Sequence, residues 1–494
     1  MSAALETRRA LYIGSQWISP ASGESEPVIN PATEQVIGIA PVGGRADVEA
    51  ALTSARRAFD RGPWPRMARQ ERAAKLQAFH DALARRRAEL CALIVAETGC
   101  PIALTQFAQY ALPMQHLKYY IDASMRDPVV SLPVEVVPNM RGGKTLGAGV
   151  TVREPVGVVV GITAYNYPFL LNLAKVGPAL ATGNVVVLKP SPFTPFEALI
   201  LGEAADEAGL PEGVFNVVTG GKEVGEMLTT DPRVDMISFT GSDAVGAAIM
   251  QQAAATLKRL HLELGGKSAL IVRADADLEA AAAQALMAVT MHCGQGCALP
   301  TRALVHNSVR QRFVEQLVQM ARGAKIGDPN DSATVLGPLI RESQRKRVEF
   351  YVNAGREGGA RLVTGGRRPP NLECGFYYEP TIFDDVDNRS VIAQEEIFGP
   401  VSVVIGFDSD EQAIDIANDS KYGLAGGICS ADVGRAYEMA LQLRTGTVAI
   451  NGGCGTMSSH APFGGFKRSG FGREYGIEGL NEFTQIKAIG FHGG

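Results

Sequence analysis

The segment 287–302, "MAVTMHCGQGCALPTR", sets Cys297 directly after Gly296, with Gln295 and a further glycine, Gly294, ahead of it. Glycines at that spacing let the backbone turn sharply and come close to a ligand. Such a turn is a poor setting for a packing cysteine, although a lone cysteine in a soluble protein is commonly a small buried hydrophobe. A thiolate placed there is a strong nucleophile toward a carbonyl carbon, and covalent attack splits a difficult reaction into easier steps. A second chemical signal is "GSDAVG" from Gly241, where amides at a turn before a helix would suit a pyrophosphate. It lacks the usual GxGxxG spacing and is weak by itself. Cys293 and Cys297 could share a helix face as metal ligands, but no second ligand pair stands nearby, so no metal is expected.

Groups of this kind need a scaffold. At 494 residues the chain is too long for one ordinary core, and two or more domains are expected. A hydrophobic fraction of 46% and a charged fraction of 20% describe a soluble globular protein. The net charge is −5 with no long basic run, which points to small molecules as partners and away from nucleic acid or an anionic membrane surface. The two arginines near the start precede no apolar stretch of signal-peptide length, and no window approaches ~18 uninterrupted apolar residues, so a cytoplasmic location is expected. Seven scattered cysteines form neither a disulfide framework nor a repeated CxxC pattern, which fits free thiols in a reducing compartment.

Residues 12–40 read as short strands broken by Gly, Pro and Asn. Amphipathic, alanine-rich helices follow over 47–59, 69–97 and 102–123, with "RRRAEL" from Arg85 as the solvated face of the second. Residues 133–153 suit a hairpin. From Val156 the runs "VGVVVGIT", "VVVLKP", "VFNVVTG" and "DMISFTG" each precede a helical stretch. Continuous apolar strands alternating with helices indicate a parallel sheet covered on both faces, with ligands beyond the carboxyl ends of its strands. A second α/β unit starts near 265 with "ALIV", followed by a helix leading to the cysteine turn, "RALVH", helices near 309–322 and 343–357, and strands to about 450. A glycine-rich stretch and an alternating tail end the chain. No internal repeat or low-complexity linker interrupts it.

Six blocks stand in order: "YNYPFLLNLAKVGPALATGNVVVLKPS", "FTGS", "LELGGKS", "GQGCALPTR", "EEIFGP" and "PFGGFKRSGFGRE". Through them the chain resembles the NAD(P)-dependent aldehyde dehydrogenases over almost its whole length. The resemblance implies an α/β fold of two parallel-sheet, Rossmann-like domains plus a small β oligomerisation arm. Residues 1–130 and 154–264 would bind the dinucleotide, 265–465 would carry the nucleophilic cysteine, and 131–153 with 481–494 would form the arm of a homodimer or homotetramer. It further implies Cys297 as nucleophile, Glu263 as general base and Asn166 as oxyanion donor. Lys189 would hold the adenosine ribose, Glu396 the nicotinamide ribose, Gly241 and Ser242 the pyrophosphate, and Phe398 the nicotinamide side. Ile162, Ser191, Gly220 and Gly265 complete a cofactor set that also includes Glu263. The expected cofactor is NAD, with NADP possible.

The chemistry gives these residue types a separate rationale. A thiohemiacetal on Cys297 carries an oxyanion that the Asn166 amide and the Cys297 backbone N–H could stabilise. A carboxylate such as Glu263 could activate water to hydrolyse the thioester that follows oxidation. Each residue also has a plain structural reading. Glu263 could be a hydrogen-bonded carboxylate at a strand end, Asn166 could shape the turn before Pro168, and Lys189 could be a solvated strand-end lysine.

Two departures from the family pattern bear on specificity. Tyr165 stands where tryptophan is common. Pro192 replaces a glutamate that in many NAD-preferring relatives repels a 2′-phosphate, so NADP would be tolerated while NAD stays favoured. Tyr165, Phe169, Met287, His292 and Phe463 are expected to line the aldehyde site, within segments 112–120, 165–171, 287–298 and 452–463 that are rich in Met, Phe, Tyr and Leu. An acidic semialdehyde would want an arginine there, and only His116, Lys118, His292 and His460 are offered. The expected substrate is therefore a neutral hydrophobic aldehyde, aromatic, terpenoid or medium-chain aliphatic, oxidised to its acid. The alternatives are a CoA-acylating or semialdehyde dehydrogenase, or a non-catalytic binding or structural protein with this fold.

Overall fold

Short runs of mainly apolar residues with no solvated face make strands that must be covered on both sides. In the computed structural model, which describes residues 8–138, 140–453 and 458–492, the strands Val158–Ile162, Val185–Lys189, Phe215–Val217 and Met236–Thr240 are buried along their whole length. With Arg259–Glu263 they form five adjacent parallel strands in the order Phe215–Val217, Val185–Lys189, Val158–Ile162, Met236–Thr240, Arg259–Glu263. The sheet is extended at one edge by an antiparallel pair, Leu11–Ile13 and Gln16–Ile18, and at the other by Gly470–Phe471, antiparallel to Arg259–Glu263. That last strand belongs to residues 466–480, which the sequence reading leaves outside its domain boundaries. They return to the first sheet, and Tyr475 and Leu480 pack into its core.

A second sheet runs Arg361–Thr364, Thr381–Asp384, Val401–Phe407, Arg302–His306, Ala269–Val272, Ala425–Cys429, Thr447–Ile450, parallel except at its first pair. A third, antiparallel sheet joins Val129–Ser131 and Glu135–Pro138 to Lys144–Pro155, and Lys144–Pro155 to the tail strand Thr484–His492. The expected hairpin and the alternating tail thus lie side by side. Residue 139 of that hairpin, 1–7 at the start, and 493–494 of the tail are outside the described residues. No described helix is long and apolar enough to cross a membrane.

Two helices depart from expectation. The expected helix over 69–97 is two helices, Arg69–Arg85 and Arg87–Thr98, joined at Arg86. Most of "RRRAEL" is the expected solvated face, with Arg85, Arg87 and Ala88 exposed, but Arg86, at the junction of the two helices, is half-buried and pairs with Glu207 and, at 2.5 Å, with Glu203 of the helix Phe196–Glu207. In the stretch 102–123 the segment Thr105–Ala111 is wound as a π-helix, a geometry that often marks functional sites. It buries Gln109, whose Nε2 donates to the backbone carbonyl of Asn166 at 3.1 Å.

Arg302, at the start of its strand, fastens the second unit from inside. It is 1% exposed and donates to the carbonyls of Lys267, Ile416 and Ala417 and to Asn388 Oδ1, all at 2.9–3.0 Å. Arg302→Leu would leave four buried acceptors without donors. The expected cost is about 3–5 kcal/mol, to be read as a fall in the urea midpoint with an unchanged slope.

Candidate active site

The strand Arg259–Glu263 ends at the carboxyl edge of the first sheet and is followed by Leu264, Gly265 and Gly266. A side chain at either glycine would collide with its neighbour. A Cβ on Gly265 would lie 2.5 Å from Glu396 Oε2, and one on Gly266 would lie 2.4 Å from the carbonyl oxygen of Cys297. Two residues from the second unit therefore close on the end of a strand from the first. The Gly266 N–H donates to Glu396 Oε1 at 2.9 Å and fixes that carboxylate.

The helix Leu278–Thr290 is started by Asp277, which accepts from the Glu279 and Ala280 amides. It ends where His292 and Cys293 take positive φ, +46° and +56°. This break separates the two cysteines that could have shared a helix face. Cys293 is buried in the core of the second unit, while Cys297, only partly buried, packs against the core of the first. Gln295 braces the turn between them: its Oε1 accepts from the Ile340 amide at 3.0 Å and its Nε2 donates to the His292 carbonyl at 3.2 Å. Asn166 precedes the helix Pro168–Ala181, and its Nδ2 donates to the Gln295 carbonyl at 2.9 Å. The side-chain amide thus reaches the nucleophile turn.

Cys297, Glu263 and Asn166 meet on the wall of one cavity of about 510 Å³. Burial pushes the Cys297 thiol up, and the carboxylates of Glu396, Glu263 and Glu474 add to the shift, so the resting group is the thiol. Burial, reinforced by Glu474, holds the Glu263 carboxyl well above the ordinary range. Its Oε2 has no hydrogen-bond partner. Glu396 is pushed up to about 7, chiefly by burial.

Of the remaining expected residues, Gly241, Ser242, Gly265, Glu396, Phe398, Tyr165 and Phe463 also line this cavity. Tyr165 meets Phe398 edge to face, with ring centroids 6.0 Å apart. Ile162 and Lys189 end neighbouring strands in paired register, and Ser191 and Gly220 follow the ends of the strands Val185–Lys189 and Phe215–Val217. These four are not among the residues that line the cavity. Lys189 is buried, which lowers its pKa to about 8. It is no solvated strand-end lysine.

Three expected pocket residues sit elsewhere. Phe169 is fully buried and stacks on Tyr110, because the first turn of its helix points it into the core. Met287 lies 44% exposed on the outer face of Leu278–Thr290. His292 is fully buried against Tyr167, and burial takes its pKa down to about 3. Residues 454–457 of the expected segment 452–463 are outside the described residues. The cavity wall instead includes Leu104, Phe107, Met291, Glu474 and Tyr475. Leu104, Phe107, Ala108 and Leu112 recur at helical spacing along one stretch, a signal that could have marked them as a common face.

The match to known proteins covers the same ground. The family model described as "Aldehyde dehydrogenase family" matches residues 17–489. A betaine aldehyde dehydrogenase of Bacillus subtilis (strain 168) is 40% identical over 486 residues, 97% of each chain. A geranial dehydrogenase of Castellaniella defragrans is 39% identical over 479 residues, 97% of this chain and 98% of that one. A crystal structure of a Mycobacterium tuberculosis aldehyde dehydrogenase complexed with NAD+ superposes with a TM-score of 0.92 at 44% identity, covering 97% of both chains. With a cysteine, a carboxylate and an amide converging at the seam of two parallel sheets, and a family match over nearly the whole length, the chain belongs to the aldehyde dehydrogenase family.

Proposed function

We propose that this enzyme oxidises a neutral, hydrophobic aldehyde to its carboxylic acid with NAD, through a covalent intermediate on Cys297. The observation that carries the substrate class is the wall of the cavity that holds Cys297. Leu104, Phe107, Leu112, Leu170, Met291 and Phe463 supply apolar surface. None of His116, Lys118, His292 or His460 reaches the cavity among the described residues. His116 stacks on Tyr475, Lys118 pairs with Asp122, and exposed His460 meets Tyr119. Among the described residues the one basic side chain on the wall is Arg347, which donates to the Glu396 carbonyl at 2.7 Å. Burying apolar substrate surface there contributes about 25 cal/mol per Å².

In this mechanism the Cys297 thiol gives its proton to water, the thiolate adds to the aldehyde carbon, and the new oxyanion is met by the Asn166 Nδ2–H and the Cys297 N–H. Loss of hydride leaves a thioester on Cys297. Glu263, through its unpartnered Oε2, takes a proton from water as the water attacks, and collapse expels the thiolate and the acid.

The site fits a dinucleotide. Ser242 caps the helix Asp243–Ala254, its Oγ accepting from the Val245 amide, and Gly241 stands at the turn where a side chain would collide with the Phe239 ring at 2.3 Å. Free amides at such a helix start suit a pyrophosphate. Lys189 and Ser191 would hold the adenosine ribose and Glu396 the nicotinamide ribose. Bound there, the nicotinamide supplies the hydride acceptor. NAD-bound relatives support this assignment, and Pro192 leaves the 2′-position without a repelling carboxylate. We assign the sheet of 129–155 and 484–492 to subunit assembly.

The test is formation of reduced cofactor with a panel of neutral and acidic aldehydes, with NAD and NADP, with and without CoA. The expected ranking puts aromatic, terpenoid and medium-chain aldehydes first. A clearly higher kcat/KM for charged semialdehydes, or a rate that rises with CoA, would overturn the reading.

A further inference from the structure

Between Glu263 and Glu474, both on the cavity wall, the structure holds an unbroken line of buried polar side chains. Glu263 Oε1 lies 3.3 Å from His261 Nε2, and His261 Nδ1 lies 3.0 Å from Ser238 Oγ. Ser238 Oγ accepts from Lys175 Nζ at 3.3 Å, and Lys175 Nζ pairs with Glu474 Oε1 at 2.9 Å. All five residues are buried, none more than 3% exposed. The strand register makes the line possible: Ser238 and His261 are direct partners on neighbouring parallel strands, and both point to the face covered by the helix Pro168–Ala181, which brings Lys175. The imidazole is held in place. A Cβ on Gly472, whose φ is +88°, would come within 2.4 Å of His261 Cδ2.

The protons along this line follow from what each group can do. An ammonium only donates, so the Ser238 hydroxyl accepts from Lys175 and keeps its own proton available for His261 Nδ1, the arrangement we assign. The imidazole proton then sits on Nε2, facing Glu263 Oε1. Burial, with Lys175 and Arg473 nearby, drives the His261 pKa well down, so the ring is neutral. A neutral N–H donor to a carboxylate favours the ionised carboxylate and fixes which oxygen it uses. A core histidine needs no such partners: His116 and His292 are equally buried, and neither ring nitrogen of either has one.

We propose that His261 is a positioning residue for thioester hydrolysis: it holds Glu263 by Oε1, leaves Oε2 free of hydrogen bonds, and extends the pH range in which Glu263 is a base. The proposal rests on the reading of Glu263 as that base. The charged groups that face Glu263 are Lys175, Arg473, Glu474 and Glu482, with Cys297 across the cavity. Lys175 and Glu474 stay in place when His261 is changed, so the effect of the imidazole can be read separately.

The experiment compares wild type, His261→Leu, His261→Gln and Glu263→Gln. The first turnover of reduced cofactor reads the hydride step, and steady-state kcat against pH reads hydrolysis. In His261→Leu the first turnover should persist, steady-state kcat should fall about 10- to 100-fold, and its rising limb should move up by about one pH unit. His261→Gln, whose amide can donate to Glu263, should recover most of the limb. If His261→Leu does not fold, His261→Asn, too short to reach Glu263, takes its place. An unmoved limb with an unchanged ratio of the two phases overturns the proposal, as does an equal loss of both phases together with thermal stability. If Glu263→Gln itself leaves hydrolysis unchanged, the base assignment fails, whatever His261 does.

Discussion

Cys297→Ala should lose aldehyde oxidation by about 10⁴-fold or more, equivalent to roughly 5 kcal/mol or more of barrier, because no thiohemiacetal can form without the thiol. Cys293 cannot stand in, since the break at His292 turns it into the core of the second unit. The fold should be untouched: the change removes a single sulfur from a partly buried position, so the melting temperature should stay within a few degrees. Turnover within tenfold of wild type would remove the covalent mechanism. The same thiol offers a check on its own electrostatics. Burial and three carboxylates hold it protonated in the resting site, so its alkylation rate in wild type should climb with pH and show no plateau near neutrality, and the fast-reacting thiol should vanish in Cys297→Ala.

The sequence exposes some of this site and hides the rest, for identifiable reasons. Strands buried on both faces write themselves as nearly continuous apolar runs, so Val158–Ile162 and Val185–Lys189 can be read directly. The turn around Cys297 is legible because its glycines are needed by the backbone. Pocket walls carry no such mark. Phe169 and Leu170 are neighbours of the same chemical type on one helix, and only the direction in which that helix starts decides that Leu170 faces the cavity and Phe169 the core. Leu104, Phe107, Ala108 and Leu112 do repeat at helical spacing, but nothing in that repeat tells a cavity wall from a core face. The break at Arg86 was hidden for another reason. Arg86, where the two helices join, pairs with Glu203 and Glu207, more than a hundred residues later, and nothing local to "RRRAEL" distinguishes an arginine that meets solvent from one that meets a distant helix. Glu474 and Tyr475 carry no sequence signal because the two-residue strand before them, Gly470–Phe471, is too short for any periodicity, and Glu474 is held by a bridge to Phe463, another residue of the cavity wall.

Glu263→Gln should separate the two halves of the reaction. Glutamine keeps the size of the side chain but cannot take a proton, so hydrolysis of the thioester should slow by about 10²–10⁴-fold, the usual worth of a general base. Oxidation of the aldehyde does not need that base, so the first turnover of reduced cofactor should remain, followed by a stalled acyl-enzyme that denaturation traps as added mass on Cys297. The pH dependence has a definite sign. Burial first, and Glu474 second, raise the Glu263 pKa. The carboxylate is therefore the minor form at low pH, wild-type hydrolysis rises as pH climbs through the raised value, and the rising limb should be absent in Glu263→Gln. The stability linkage runs the opposite way. A carboxyl whose folded pKa is raised stabilises the fold only while it is protonated, and that contribution is lost as pH rises through the folded value. Glutamine stays neutral at every pH, so Glu263→Gln should melt no lower than wild type, and higher at alkaline pH. Loss of turnover without loss of stability ties the defect to the chemistry. Equal slowing of the first turnover and the steady state would instead place Glu263 in the oxidation step, and the assignment of water activation would have to move to another group on the cavity wall.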